Sequence, residues 1–210
     1  MRICLLFLLF LGFSSVARAQ EVQTTLILRT AIGRAGSRYN LLEVLQTRGK
    51  TIFPDILYID FGRGNEYREV GLGFGRILYS SERHLLIGEL YFFAATGPAA
   101  NGALYLQPWV YAKYGFTEKL SLQASYFPYI PVNSAGTVQH VLEHIKLERR
   151  VKKVWLGVGY EGYKFGEQDW QNFPFGSAAF TVPKFGNMEV WGQHVPGGFR
   201  VQLRYDKTWK

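Results

Sequence analysis

Residues 102–133 read "GALYLQPWVYAKYGFTEKLSLQASYFPYIPVN", and the periodicity of this stretch decides the fold class. Leu104, Leu106, Pro108, Val110, Ala112 and Tyr114 are apolar or aromatic, and they alternate with Tyr105, Gln107, Trp109, Tyr111 and Lys113. A period of two puts successive side chains on opposite faces, so this is a strand with one apolar and one polar side. After the tight "FTEK" turn the pattern resumes. Leu120, Leu122, Ala124, Tyr126 and Ile130 form one face, and Ser121, Gln123, Ser125 and Tyr129 form the other. The arms of this hairpin exceed the ~5–6 residues usual in soluble sheets. They match the ~9–11 residues or more that a tilted strand needs to cross a bilayer.

The same unit recurs outward from this hairpin. Val70, Leu72 and Phe74 oppose Glu69, Gly71, Gly73 and Gly75; Leu86, Leu90 and Phe92 oppose Ile87, Glu89 and Tyr91. Val154, Leu156, Val158 and Tyr160 oppose Trp155, Gly157, Gly159, Glu161 and Tyr163. In the last such segment Phe199, Val201, Leu203 and Tyr205 alternate with Arg200, Gln202, Arg204 and Asp206. Short connections ("SSER", "FTEK", "VKK", "FGN") interleave with longer ones ("ATGPAANG", "PVNSAGT", "GEQDWQNFPFG"), which is the turn asymmetry of an outer-membrane barrel. "GRGN" and "PGG" are tight although they fall on the long side.

The first nineteen residues read as a cleaved secretory signal. Arg2 precedes the apolar run "ICLLFLLFLGF", and Ala17-Arg18-Ala19 offers a small-x-small cleavage site before Gln20. Cys4, the one cysteine, lies inside it, so residues 20–210 form a single domain without disulfides. The formal net charge of +8 includes Arg2 and Arg18, which leaves +6 on the exported chain. Export argues against nucleic acid as the partner of that charge; anionic lipid or lipopolysaccharide fits better. About ten strands follow from Phe53 onward. Residues 20–50 admit two readings: "VQTTLILRTAIG" and "YNLLEVLQT" as a further hairpin, giving twelve strands, or "NLLEVLQTRG" as a short amphipathic helix.

The chain thus resembles the small bacterial outer-membrane β-barrel proteins, through its signal, dyad strands, aromatics near strand ends and a final strand closing on Tyr205 and Trp209. The resemblance implies an all-β, antiparallel up-and-down transmembrane barrel of about 10–12 strands in the outer membrane. Outer-membrane lipid, lipopolysaccharide and the barrel-insertion machinery would be its partners. Lys210 after Trp209 departs from the terminal aromatic that this machinery recognises.

"HVLEH" (residues 140–144) fits H-x-x-E-H, a zinc-hydrolase pattern. As a helix it would place His140 and His144 one turn apart, as zinc requires. A helix here would break the alternation of turns, however, so the segment is read as strand. His140, Leu142, His144, Lys146 and Glu148 then face the lumen, Val141, Glu143, Ile145 and Leu147 face lipid, and no metal or other cofactor is expected.

The candidate polar network of the lumen comprises Glu69, Glu89, Lys113, His144, Lys146 and Glu148, with Glu161, Arg200, Arg204 and Asp206. Trp170, Phe173, Phe175 and Trp209 are candidate interface anchors. These residues fit a non-enzymatic barrel serving structure, adhesion or limited solute passage. Two alternatives stay open. One is a lipid-modifying enzyme of the lipid A deacylase or acyltransferase type, using Ser134, His140 or His194 near the outer rim. The other is a soluble periplasmic lipid-binding barrel with its apolar faces turned inward.

Overall fold

The computed structural model describes residues 21–33, 38–61, 67–98, 102–196 and 198–210; the expected signal segment lies outside them. Twelve strands follow one another: β1 (Val22–Gly33), β2 (Arg38–Arg48), β3 (Thr51–Phe61), β4 (Tyr67–Ser80), β5 (His84–Thr96) and β6 (Leu104–Thr117). The second half is β7 (Leu120–Pro131), β8 (Gln139–Val151), β9 (Val154–Phe165), β10 (Gln171–Val182), β11 (Gly186–Val195) and β12 (Gly198–Trp209). Every strand pairs antiparallel with its sequence neighbour, and β1 pairs with β12, with Leu28 opposite Tyr205, so the sheet closes into a barrel. Closure removes both sheet edges, which is what lets strands sit in lipid without orphaned backbone groups.

Residues 20–50 therefore take the hairpin reading. "NLLEVLQT" is strand, not helix: Leu41, Glu43 and Leu45 line the interior while Leu42 faces out. A lone helix there could not complete the ring, whereas β1 and β2 supply the two strands that meet β12 and β3.

The alternation sorts the side chains as a membrane barrel requires. Leu28, Leu42, Val70, Leu72, Phe92, Leu156, Val158, Val201 and Leu203 are exposed on the outside. The buried groups are interior ones, including Arg29, Asp55, Glu69, Gln107, Lys146, Glu161, Gln193 and Gln202. In a soluble barrel the two sets would be exchanged.

The glycines of "VGLGFG" have a packing reason. Gly71 and Gly73 on β4 lie opposite Phe93 and Tyr91 on β5. A Cβ at either glycine would come within 2.4 Å of the facing ring. Bare backbone on β4 thus gives the two rings room to lie across the inner wall, 5.5 Å apart and stacked.

Candidate functional site

The barrel encloses a cavity of about 1390 Å³. Its lining runs from Thr47, Asn187 and Asp206 near the short turns to Thr137, Gln168 and Gln171 near the long loops. Eight carboxylates and five Lys or Arg side chains contribute to that lining.

A β-bulge on β8 sets the middle of the lumen. Pairing with β9 slips between Leu142 and Ile145, and His144 takes a positive φ of 54°. The extra residue lets Glu143 and His144 both point inward and reverses the faces on either side. Gly159 makes the bulge possible, since a Cβ there would lie 2.2 Å from the Ile145 carbonyl oxygen.

From this bulge Glu143 reaches Arg29, and the two form an ion pair. The pair links β8 to β1, which lie nearly opposite in the ring of twelve. Twelve strands ~4.8 Å apart would enclose a circular section at least ~18 Å wide, too wide for one arginine and one glutamate to meet. The walls at β1 and β8 are therefore drawn together, and the pair forms a bar across the passage. Arg29 also lies over the Trp191 ring, 5.2 Å from its centroid. His144 packs against the same indole, with the ring centroids 4.4 Å apart.

The bar continues into a hydrogen-bonded network. His144 Nδ1 lies 3.3 Å from Glu143, and its Nε2 lies 3.6 Å from Glu161. Glu161 accepts from Gln193 at 2.7 Å and from Arg200 at 3.1 Å. Nearer the short turns, Lys146 donates to Glu189 at 2.6 Å and pairs with Glu148 at 3.1 Å. Glu148 also accepts from Ser121 at 2.8 Å and from Lys113 at 3.2 Å. Buried charges need such partners, because an unpaired one costs several kcal/mol.

The wall formed by β2 to β5 differs. Glu43, Asp55, Glu69 and Glu89 face inward there, and no described Lys or Arg on these strands lines the cavity. Tyrosines are the partners of Asp55, Glu69 and Glu89 instead. Tyr91 donates to Asp55 at 2.6 Å and lies 3.3 Å from Glu89, while Glu69 accepts from Tyr67 and, at 3.1 Å, from Tyr129.

All ten candidate lumen residues line this one cavity. Lys113, His144, Lys146, Glu148, Glu161 and Arg200 join the network just described; Arg204 and Asp206 lie 3.7 Å apart. Glu69 and Glu89 sit on the tyrosine-rich wall. The strand reading missed Arg29, Glu43, Asp55, Glu143 and Glu189. Arg29, Glu43 and Asp55 sit within strands whose other inward positions are mostly apolar, and that isolation is itself the signal, whereas Glu143 and Glu189 share their strands with other inward polar groups. A charge at mid-strand in a membrane barrel belongs to the lumen.

Four placements are corrected. Glu143 faces the lumen, not lipid, while His140 turns outward, its Nδ1 2.8 Å from the Tyr126 hydroxyl; the bulge is the reason. Phe173 and Phe175 point inward, because the β10 register puts them on the face shared with Ser177 and Ala179. Phe173 packs on Tyr163, and Phe175 on Trp191 and His144. Trp170 and Trp209 are exposed.

His140 and His144, the histidines of H-x-x-E-H, thus lie on opposite sides of the sheet. Glu143, His144 and Glu161 do bring ligand-type atoms within 4.8 Å of one another. Arg29 and Arg200 already hold the two carboxylates, so the donor set is poorly suited to a further cation.

No protein-family model matches the sequence, and no curated protein matches it. Solved structures do. The KdgM porin superposes with a TM-score of 0.64 at 9% identity, covering 89% of this chain and 99% of the porin. The same porin in complex with disordered oligogalacturonate gives 0.65. An outer-membrane channel from Pseudomonas putida F1 gives 0.55 at 11% identity, covering 94% of this chain and 98% of that one. The fold is shared with bacterial outer-membrane channels. At these identities the likeness extends to the fold alone.

Proposed function

We propose that this chain is an outer-membrane channel that passes small hydrophilic solutes, cations in preference to anions. The observation that carries the reading is the cavity lined by polar and charged groups from the short-turn end to the long-loop end. A barrel whose only task is structural has no need of an interior so densely supplied with charge. Carboxylates outnumber Lys and Arg along the lining, and a passage lined by an excess of one sign enriches ions of the other. The Arg29–Glu143 bar sets the narrowest level and limits the size of the solute. The fold shared with channels supports the reading and does not identify the solute.

A second reading is favoured by the packing at mid-height, where Trp191, Gln193, Glu161 and Asp55 are almost completely buried. On that reading the side chains fill the barrel, which serves structure or adhesion. Liposomes loaded with a polymer and diluted into isosmotic sugars separate the two. A channel gives swelling that falls steeply from pentoses to disaccharides, and in a potassium chloride gradient its reversal potential favours potassium. Liposomes that do not swell with any sugar and carry no current would overturn the channel reading.

A further inference from the structure

We infer that the short-turn rim of the barrel is a binding surface for the anionic phospholipid headgroups of the membrane leaflet it faces. The inference rests on the membrane reading above but concerns a different part of the molecule. Arg83, Lys119, Arg149, Arg150, Lys152 and Lys153 are all exposed at this end. They form a continuous arc, because the turns that carry them are tied together. The Gly115 amide donates to the Arg83 carbonyl at 2.9 Å, joining the β4–β5 turn to β6. The Arg150 amide donates to the Lys119 carbonyl at 2.8 Å, joining the β6–β7 turn to β8. Arg48, Lys50 and Arg76 extend the arc toward β2, with the Ile77 amide bonded to the Lys50 carbonyl at 2.8 Å.

Acids do not balance this arc. The described carboxylates exposed at this end are Glu21, Glu82 and Glu118, and Glu21 is taken by Lys210 at 3.8 Å. At the long-loop end the described exposed or half-exposed charges are mixed: Arg68 and Lys164 against Asp60, Glu167 and Asp169, with Arg68 paired to Asp60. Among the described residues the excess positive charge is therefore concentrated on one rim.

A second observation fixes the depth of that rim. Tyr79, Tyr114, Phe116, Phe185 and Trp209 are exposed on the outside of the barrel near the same turns. Aromatic rings gather at the boundary between hydrocarbon and headgroups. The cations just beyond this girdle stand at the level of the phosphates; Lys207, over the Trp209 ring at 5.3 Å, spans the two layers. Lys and Arg at that depth attract anionic lipid strongly, and the attraction is lost within a Debye length. The short turns face the periplasm in a barrel of this kind, so the ligand is a phospholipid with a net negative headgroup, not the lipopolysaccharide of the outer leaflet.

The test uses the full exported chain in nanodiscs of phosphatidylethanolamine with a minor fraction of phosphatidylglycerol, released for native mass spectrometry. Retained lipid should be enriched in phosphatidylglycerol at least about tenfold over the disc composition. Lys119→Gln/Arg150→Gln/Lys152→Gln/Lys153→Gln should bring the enrichment close to one. These four side chains are exposed, and a faster-running unboiled band on gels checks that the variant is folded. Equal retention of the two phospholipids by the wild type would overturn the inference. Loss of the bound lipid to millimolar inorganic phosphate would reduce the rim to a simple phosphate site and overturn it too. Failure of the wild type to enter nanodiscs would instead overturn the membrane reading itself.

Discussion

Arg29 and Glu143 link nearly opposite walls of the barrel across its lumen. Both are largely buried, so removing one strands the other. Arg29→Ala should cost about 3 kcal/mol of stability, read from urea unfolding in lipid vesicles. Arg29→Met/Glu143→Met should recover most of that loss, since a buried pair replaced by apolar groups of similar size is often nearly neutral. A double variant no more stable than the single one would mean that the pair is worth far more than its replacement. Arg68 and Asp60 make the contrast: Arg68 is exposed, and Arg68→Ala should change stability by less than about 1 kcal/mol.

At the scale of the strand, the bulge on β8 is the feature on which the site depends. Gly159→Ala would set a methyl group against the Ile145 carbonyl oxygen, in contact with backbone that cannot rotate away. Stability should fall by about 1–3 kcal/mol. His144 would lose its place beside Trp191, visible as a change in tryptophan fluorescence. An unchanged spectrum and stability would show that β8 can hold its inward pair without the glycine. This bulge also marks where sequence reading stopped. Period two and the turn signals identify about ten strands from Phe53 onward, β3 to β12, and the faces of most of them, because lipid on one side and a polar lumen on the other enforce strict alternation. A bulge breaks the period by one residue. "HVLEHIK" carries no glycine or proline to announce it; the warning was Glu143 itself, a charge that strict alternation sent into lipid. Phe173 and Phe175 were misplaced for a different reason. The sequence reading takes them as part of the "GEQDWQNFPFG" connection, whereas β10 already begins at Gln171, and nothing local tells the loop from the start of the strand. Arg29 and Glu43 escape the sequence reading because residues 20–50 fit a hairpin and a short helix alike, and half of the bar across the lumen goes with them.

At the scale of the whole molecule, the closed ring, the exposed apolar belt and the polar interior belong to one account. A closed barrel should resist detergent until boiled, so the unboiled protein should run faster on gels and remain with the membrane after a carbonate wash. A soluble protein with no mobility shift would exchange inside for outside and make the apolar faces the walls of a ligand cavity. On the channel reading, a continuous passage crosses this barrel and the Arg29–Glu143 bar limits it. The decisive measurement is single-channel recording of the wild type beside Arg29→Ala/Glu143→Ala in planar bilayers. Small, steady conductance steps are expected in the wild type and steps several times larger in the double variant. Equal conductance in the two proteins would contradict the bar as the limiting level, and the absence of steps in both would contradict the passage.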